Sequence, residues 1–65
     1  MRNWLIKIRK TRALTQNEVA KSVHISQPSY CNIEKGKINP SPKTAQKIAS
    51  VLGFDWTVFF NEKGA

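Results

Sequence analysis

Residues 14–36, with the sequence LTQNEVAKSVHISQPSYCNIEKG, decide the fold of this chain. Their first half opens with a capping box, in which the side chains of Thr15 and Glu18 each accept a hydrogen bond from the other residue's backbone. Apolar residues then recur at helical spacing on one face, with polar residues on the other. The pattern predicts a helix from residue 16 to about residue 23.

The second half of this stretch predicts another helix. Ser26 can cap its start, Pro28 is tolerated in a first turn whose backbone donors are unpaired in any case, and Gly36 suits the left-handed position after its end. Only residues 23–26 separate the two helices, so the chain must reverse tightly and the helices must cross at a steep angle. This geometry is that of a helix-turn-helix motif.

Two longer helices flank the motif. In residues 3–12 apolar side chains recur at helical spacing between basic ones, which predicts an amphipathic first helix. Downstream, a serine–proline pair at residues 41–42 repeats the start signal, and the apolar pattern predicts a fourth helix that ends at Gly53.

The C-terminal segment completes the predicted architecture. Asp55 is expected to cap a short fifth helix that carries Trp56, Phe59 and Phe60. No segment alternates with the period of a strand, and the connections are only a few residues long. The predicted fold class is therefore all-α, a compact five-helix bundle in which residues 1–65 form a single domain.

The charge balance indicates a polyanionic partner. The chain has 11 Lys and Arg against 4 Asp and Glu, which leaves a formal net charge of +7 and a pI near 10.1. The basic residues are spread along the sequence, so we expect the folded surface itself, and not a tail, to carry the charge. On charge alone, a merely solvated surface, an acidic membrane and RNA remain alternatives to duplex DNA.

The residues able to do chemistry exclude most other classes of protein. Cys31 is the only cysteine and His24 the only histidine, so no internal disulfide and no cysteine-based zinc site is expected. These two side chains and four carboxylates offer no convincing acid, base or metal pair, so we predict no enzyme, metal, cofactor or small-molecule ligand. No run of about 20 apolar residues and no signal peptide is present, which fits a reducing cytoplasm and no membrane.

Residues 14–36 resemble the phage repressor and Cro-like (XRE-type) family of helix-turn-helix transcriptional regulators. Thr15 and Gln16 open the second helix as in that family, and Ala20 stands where a small residue lets the two helices approach. Further similarity lies in the segments IEKGK at 33–37, NPS at 39–41 and IAxxLG at 48–53. The family's core positions hold Val19, Val23, Ile25, Tyr30 and Ile33. The resemblance covers nearly the whole chain and implies a lambda repressor-like DNA-binding domain, encoded by a bacterium or a phage.

His24 is a departure from the family pattern. The family usually has glycine there, because the turn tends to need a positive φ. Histidine tolerates that backbone region better than most residues do, so we interpret His24 as a turn residue and not as a ligand or a switch.

Helical phase divides the third helix into a core face and a reading face. Tyr30 points to the core, whereas the opposite face is short, polar and uncharged near its start, which suits insertion into the major groove. Amide side chains can donate to and accept from the edge of adenine, so Gln27 and Asn32 are the leading base-reading candidates, Gln27 with the better position. Pro28 and Cys31 can each touch a thymine methyl group or only fill space.

Phosphate contacts are expected on both sides of this reading helix, because they fix register on the duplex and supply affinity. The start of the second helix offers the positive end of a helix dipole and the unpaired amides of Gln16 and Asn17, and Thr15 belongs to the same phosphate site. The resemblance places the Gln16 side chain on the same phosphate. It also favours a role for Ser29 at the DNA edge, with simple support of the helix start as the alternative.

The second phosphate site is expected in the residues that follow the reading helix. Lys35, Lys37 and Asn39 form it. Lys10 and Arg12 precede the motif, and either extend the DNA footprint or belong to a solvated surface.

The resemblance assigns two further roles. It aligns Arg9 and Glu34 with a partly buried salt bridge between the first helix and the reading helix. It also implies dimerisation through the segment around the fifth helix, where Trp56 and Val58 are the interface candidates and burial in the core is the alternative. A symmetric homodimer would place two reading helices about 34 to 36 Å apart and bind a pseudo-palindromic operator.

The predicted function is sequence-specific binding of double-stranded DNA by a transcriptional regulator, with repression favoured over activation. A protein-interaction module, such as an antitoxin or an antirepressor-type regulator, is the alternative, because one fold can carry several functions.

Overall fold

The computed structural model describes residues 1–61, and these form five helices and no strand. In chain order the helices are α1 (Asn3–Thr11), α2 (Gln16–Ser22), α3 (Gln27–Lys35), α4 (Pro42–Leu52) and α5 (Val58–Asn61). The predicted all-α class and five-helix bundle are confirmed. Lys63, one of the basic residues counted above, lies outside the described residues. Within residues 1–61, no helix has both the length and the apolar character needed to span a bilayer.

Hydroxyl side chains cap the N-termini of three helices at the predicted positions. Thr15 Oγ1 accepts a hydrogen bond from the backbone N of Glu18 at 3.1 Å, and the Glu18 carboxylate accepts from the backbone N of Thr15 at 2.8 Å. This completes the capping box of α2. Ser26 caps α3 and Ser41 caps α4, each followed by a proline in the first turn. Local sequence signals therefore place these three helix starts.

Each of the four longer helices is followed by a residue in the left-handed backbone region. Gly36 (φ 79°) and Gly53 (φ 78°) come directly after the last helical residue, and Ala13 (φ 59°) and His24 (φ 62°) come two residues after it. Backbone N–H groups after each helix turn back to carbonyls of its last turn, as when Leu14 donates to Arg9. His24 is thus the turn residue that the sequence predicts. Ala13 was not predicted, because alanine favours helices and rarely adopts a positive φ.

A single apolar core joins the five helices. Its fully or almost fully buried members are Leu5, Val19, Ala20, Val23, Tyr30, Ile33, Ala45, Ile48, Leu52 and Phe59. At one edge, the rings of Trp4, Phe54 and Phe59 pack against one another with centroids 5.2 to 5.7 Å apart. This aromatic group fastens α5 to the start of α1. The assignment of residues 1–65 to one domain stays a prediction.

The fifth helix begins later than predicted. Asp55 does not directly precede it: the Asp55 carboxylate accepts from the backbone N and the hydroxyl of Thr57, at 3.0 and 2.9 Å, and closes the turn that leads into the helix. These hydrogen bonds also hold the pKa of Asp55 below its ordinary value. α5 starts only at Val58, so Trp56 lies in the turn and not on the helix.

Arg12 has a structural contact that the sequence did not predict. α1 stops at Thr11, one residue before its predicted end, and the Arg12 side chain crosses to the last turn of α4. There its Nε donates to the carbonyl of Leu52 at 2.9 Å. A cation at a helix C-terminus offsets the negative end of the helix dipole, so Arg12 joins α1 to α4.

Candidate nucleic-acid interface

The outward face of α3 is open to solvent at its start. Gln27 and Pro28 are exposed, Cys31 and Asn32 are half-buried, and Lys35 at the end of the helix is exposed. The opposite face is buried in the core, with Tyr30 and Ile33 2% exposed or less. Helical phase therefore separates the two faces as the sequence predicts, and the other helices leave the amide of Gln27 uncovered.

A chain of hydrogen bonds fixes the amide of Gln27. Its Nε2 donates to Oε1 of Gln16 at 3.3 Å, and Nε2 of Gln16 donates to Oε1 of Glu34 at 2.8 Å. Because a carboxylate accepts and cannot donate, the amide of Gln16 can have only this orientation. Among residues 1–61 no other hydrogen bond engages the Gln27 side chain, so its Oε1 and one N–H are available to another molecule.

Glu34 is the buried anchor of this chain. Arg9 Nε donates to its Oε2 at 2.6 Å and an Arg9 terminal nitrogen lies 3.4 Å from its Oε1, with the two side chains 11% and 2% exposed. Arg9 also donates to the carbonyl of Leu14 at 2.9 Å. The pair therefore ties α1 to α3 and to the segment before α2.

The electrostatics of this pair favour the charged forms. Burial acts to raise the pKa of Glu34, but hydrogen bonds from Arg9 and Gln16 outweigh it and hold that pKa below its ordinary value. The hydrogen bond to Glu34 raises the pKa of Arg9. Both groups remain ionised throughout the physiological pH range.

Tyr30 lies beside the ion pair. Its ring is fully buried, and its hydroxyl makes no well-formed hydrogen bond within residues 1–61. Burial, with the nearby carboxylate of Glu34, raises the pKa of this phenol far above its ordinary value. Tyr30 is therefore a neutral core residue.

The start of α2 presents one predicted phosphate site. Asn17 is exposed, and Gln16 is half-buried with its amide oriented as described above. Thr15 contributes its backbone N–H and its hydroxyl oxygen to the capping box. Ser29, at the start of α3, accepts a hydrogen bond from the Ser26 hydroxyl at 2.9 Å and so supports that helix start.

The segment after α3 contains the residues of the other predicted phosphate site. Lys35, Lys37 and Asn39 are all exposed. Within residues 1–61, no hydrogen bond or ion pair fixes the two lysine side chains, whereas Oδ1 of Asn39 accepts a hydrogen bond from Arg2. Contrary to the expectation that the basic residues lie on the surface, Arg2 is only 5% exposed. No sequence signal indicated this contact, because its partners lie more than thirty residues away.

The C-terminal segment leaves aromatic surface uncovered. Trp56 and Val58, the predicted interface residues, are half-buried, and Trp56 also packs against the core. Phe60 is 50% exposed and meets the Trp56 ring edge-on, with centroids 5.6 Å apart. The sequence did not single out Phe60 for an interface, yet it is the more exposed of the two adjacent phenylalanines, since Phe59 is buried in the core.

Two short helices joined by a tight turn, the second with an exposed amide at its start, define a helix-turn-helix domain. Residues 5–59 match the family model described as helix-turn-helix, and the chain belongs to that family. The resemblance predicted from residues 14–36 is thereby confirmed.

The relatives carry names that describe regulators. The chain is 47% identical over 62 residues to the uncharacterised HTH-type transcriptional regulator YqaF of Bacillus subtilis, covering 95% of this chain and 82% of that protein. It is 43% identical to the uncharacterised HTH-type transcriptional regulator MJ0272 of Methanocaldococcus jannaschii, covering 82% and 80%. It is also 34% identical to the immunity repressor protein of Bacillus phage phi105, covering 86% of this chain but 39% of the repressor. No solved structure matches the chain significantly.

Proposed function

We propose that this protein is a transcriptional regulator, acting as a repressor, that binds double-stranded DNA and reads its sequence with α3 in the major groove. The observation that carries the proposal is the exposed amide of Gln27 at the start of α3, oriented by Gln16 and Glu34. Similarity to proteins named transcriptional regulators and to a phage immunity repressor supports it.

The free groups on Gln27 suit one base in particular. Its Oε1 can accept from N6 of adenine while its remaining N–H donates to N7, and such a bidentate contact contributes about 1 to 3 kcal/mol of base discrimination. The hydrogen bond to Gln16 holds the amide in place before DNA arrives, which reduces the entropy lost on binding. Asn32, Pro28 and Cys31 lie further along the same face and would read adjacent bases.

Phosphate contacts on both sides of α3 would supply affinity without regard to sequence. Thr15, Gln16, Asn17 and Ser29 would make these contacts on one side. Lys35, Lys37 and Asn39, all exposed, would make them on the other. Arg9 and Glu34 neutralise each other inside the protein, and the chain still carries a formal net charge of +7, to which the exposed Lys35 and Lys37 contribute; this charge would attract a duplex.

A homodimer suits this function. Phe60, Trp56 and Val58 would pack across a two-fold axis, so that two copies of α3 enter successive major grooves of a pseudo-palindromic operator. The protein would act in the cytoplasm, without enzymatic activity and without a cofactor.

Selection of bound fragments from a random DNA pool tests the proposal. The wild-type protein is expected to enrich a pseudo-palindrome, and Gln27→Ala should lose preference for the base pair that Gln27 reads. Gln46→Ala is the matched control, because Gln46 is an exposed amide on α4, and it should enrich the wild-type sequence.

A salt titration separates this function from a protein-interaction module. Binding to random duplex DNA should weaken steeply and linearly as salt rises on a double-logarithmic plot. A flat response, or a Gln27→Ala selection identical to that of the wild type, would contradict the proposal.

A further inference from the structure

Arg2 joins the end of α3 to the segment that follows it. Its backbone N–H donates to the carbonyl of Glu34 at 2.7 Å. One terminal nitrogen of its guanidinium donates to the carbonyls of Ile33 at 2.6 Å and Ile38 at 3.1 Å, and the other donates to Oδ1 of Asn39. A single side chain therefore holds a helix end and a loop in one fixed relation.

The guanidinium is itself held in place. It is buried, and its central carbon lies 5.4 Å from the centroid of the Phe59 ring, in the geometry of a cation–π contact. The rigid planar fork of arginine can satisfy three acceptors at once, which the single ammonium of a lysine cannot do in the same geometry.

This contact decides which way the amide of Asn39 faces. Arginine has only donors, so only the oxygen of the amide can point toward it. The Nδ2 group then points away from Arg2, and within residues 1–61 no hydrogen bond occupies it. Asn39 is exposed, and so is Lys37 two positions before it, so the two N–H donors are open to a ligand next to a cationic residue in the sequence. Donors are what a phosphate oxygen requires.

We propose that Arg2 is a positioning residue of the DNA-backbone contact, which presents the Nδ2 donors of Asn39 to a phosphate. This inference rests on the proposed DNA-binding function and deepens it. Arg2 does not touch the phosphate itself, because its guanidinium is enclosed by Ile33, Asn39 and Phe59. The phosphate meets an amide whose orientation is set by the first residues of the chain.

The variant Asn39→Asp tests the inference without disturbing the fold. The carboxylate keeps the acceptor for Arg2, so the melting temperature should equal or exceed that of the wild type. It lacks the Nδ2 donors, so affinity for a random-sequence duplex should fall at least about tenfold. Asn61→Asp, an exposed site on α5, makes the same change in net charge and should cost much less affinity.

A double-mutant cycle shows whether Arg2 acts through Asn39. Arg2→Lys and Asn39→Ala should each weaken binding about tenfold, measured at a temperature at which circular dichroism shows every variant folded. The double variant should be no more than about twofold weaker than the weaker single variant, because both changes remove the same contact.

Three outcomes would overturn the inference. One is an affinity of Asn39→Asp for DNA equal to that of Asn61→Asp. Another is a double variant whose loss of affinity equals the product of the losses in Arg2→Lys and Asn39→Ala. The third is an Arg2→Lys protein that melts earlier but binds like the wild type once folded, as a purely structural role requires. If the wild type itself shows no salt-dependent binding to DNA, the proposed function fails as well. If the wild type binds and one of the three outcomes above is found, only the inference about Arg2 fails.

Discussion

Glu34 both anchors α3 in the core and, through Gln16, orients the amide at the start of that helix. The carboxylate is 2% exposed and receives Arg9 on one side and Gln16 on the other. Burying a charge is costly unless it is paired and hydrogen-bonded, and here both conditions hold. The same carboxylate also orients Gln16 and, through it, Gln27, so the stability of the fold and the proposed reading of bases depend on one residue.

The substitution Glu34→Gln should strongly destabilise the fold. It leaves the charge of Arg9 buried without a partner, so the free energy of unfolding should fall by about 3 to 5 kcal/mol in urea denaturation. Glu18→Gln is the control, because Glu18 is exposed and glutamine can also complete a capping box; it should cost under about 1 kcal/mol. An equal loss of unfolding free energy in the two variants would show that the buried ion pair contributes no more to stability than an exposed carboxylate does.

The pH dependence of the same pair has a definite sign. The pKa of Glu34 is lower in the folded state than in the unfolded chain, so its contribution is present above the ordinary carboxyl pKa and is lost as the pH falls through the folded value. The wild type should therefore lose more unfolding free energy between neutral and acid pH than Glu34→Gln does. Parallel pH profiles for the two proteins would contradict this expectation.

Tyr30→Phe should leave the protein as stable as the wild type, or up to about 1 kcal/mol more stable, because it removes a buried hydroxyl that has no good partner. The folded-state pKa of Tyr30 is raised, so the wild type should lose stability as the pH rises above the unfolded value of about 10, and the variant should lose less. Thermal melts at neutral and alkaline pH measure both effects. A loss above about 1 kcal/mol at neutral pH would indicate a bound partner for the hydroxyl.

The same type of backbone turn follows each of the first four helices. Each of α1 to α4 is followed, within two residues, by a residue with positive φ, which directs the next segment back across the core. Two of these positions hold glycine, where that conformation carries no steric cost, and two hold Ala13 and His24. The turn between α2 and α3 is therefore built around a somewhat strained residue, and so is the turn before α2.

Ala13→Gly should relieve that strain. The cost of a left-handed alanine exceeds the entropy that glycine adds to the unfolded chain, so unfolding free energy should rise by about 0.5 to 1 kcal/mol. Ser50→Gly, at an exposed site inside α4, is the matched control and should lose about 0.5 kcal/mol. Loss of stability in both variants would show that the backbone at Ala13 is unstrained.

The whole molecule presents two surfaces of different character. The start of α3 and the segment after it are polar and cationic, whereas the C-terminal segment exposes Phe60 beside Trp56. A domain this small buries a limited share of its apolar surface, and a symmetric partner can cover the remainder. Binding of DNA and self-association would then use separate faces of the same domain.

Phe60→Ser should weaken self-association at least about tenfold, because each subunit of a dimer would lose the burial of half an aromatic ring. Sedimentation equilibrium over a range of protein concentrations measures it. Ile38→Ser is the control, because Ile38 is 43% exposed but lies in the segment after α3, and it should associate like the wild type. A wild type that stays monomeric at every concentration would contradict the homodimer.

The sequence by itself determined the local features of the fold, which depend on residues close to one another along the chain. The capping residues of α2, α3 and α4, the tight turn at His24 and the two faces of α3 all follow from hydrogen bonds and side-chain phase within a few residues. For the same reason the exposed position of Gln27 followed from the sequence.

Only the tertiary structure decided the contacts that cross the core. Arg2 reaches Ile33, 31 positions away, and Gln16 reaches Glu34, 18 positions away. The late start of α5 also went unpredicted, because the turn that the Asp55 carboxylate closes occupies residues 56 and 57 and delays the helix to Val58. A long-range hydrogen bond depends on how the helices pack. A local pattern of residues therefore cannot predict which distant carbonyl accepts from a buried arginine.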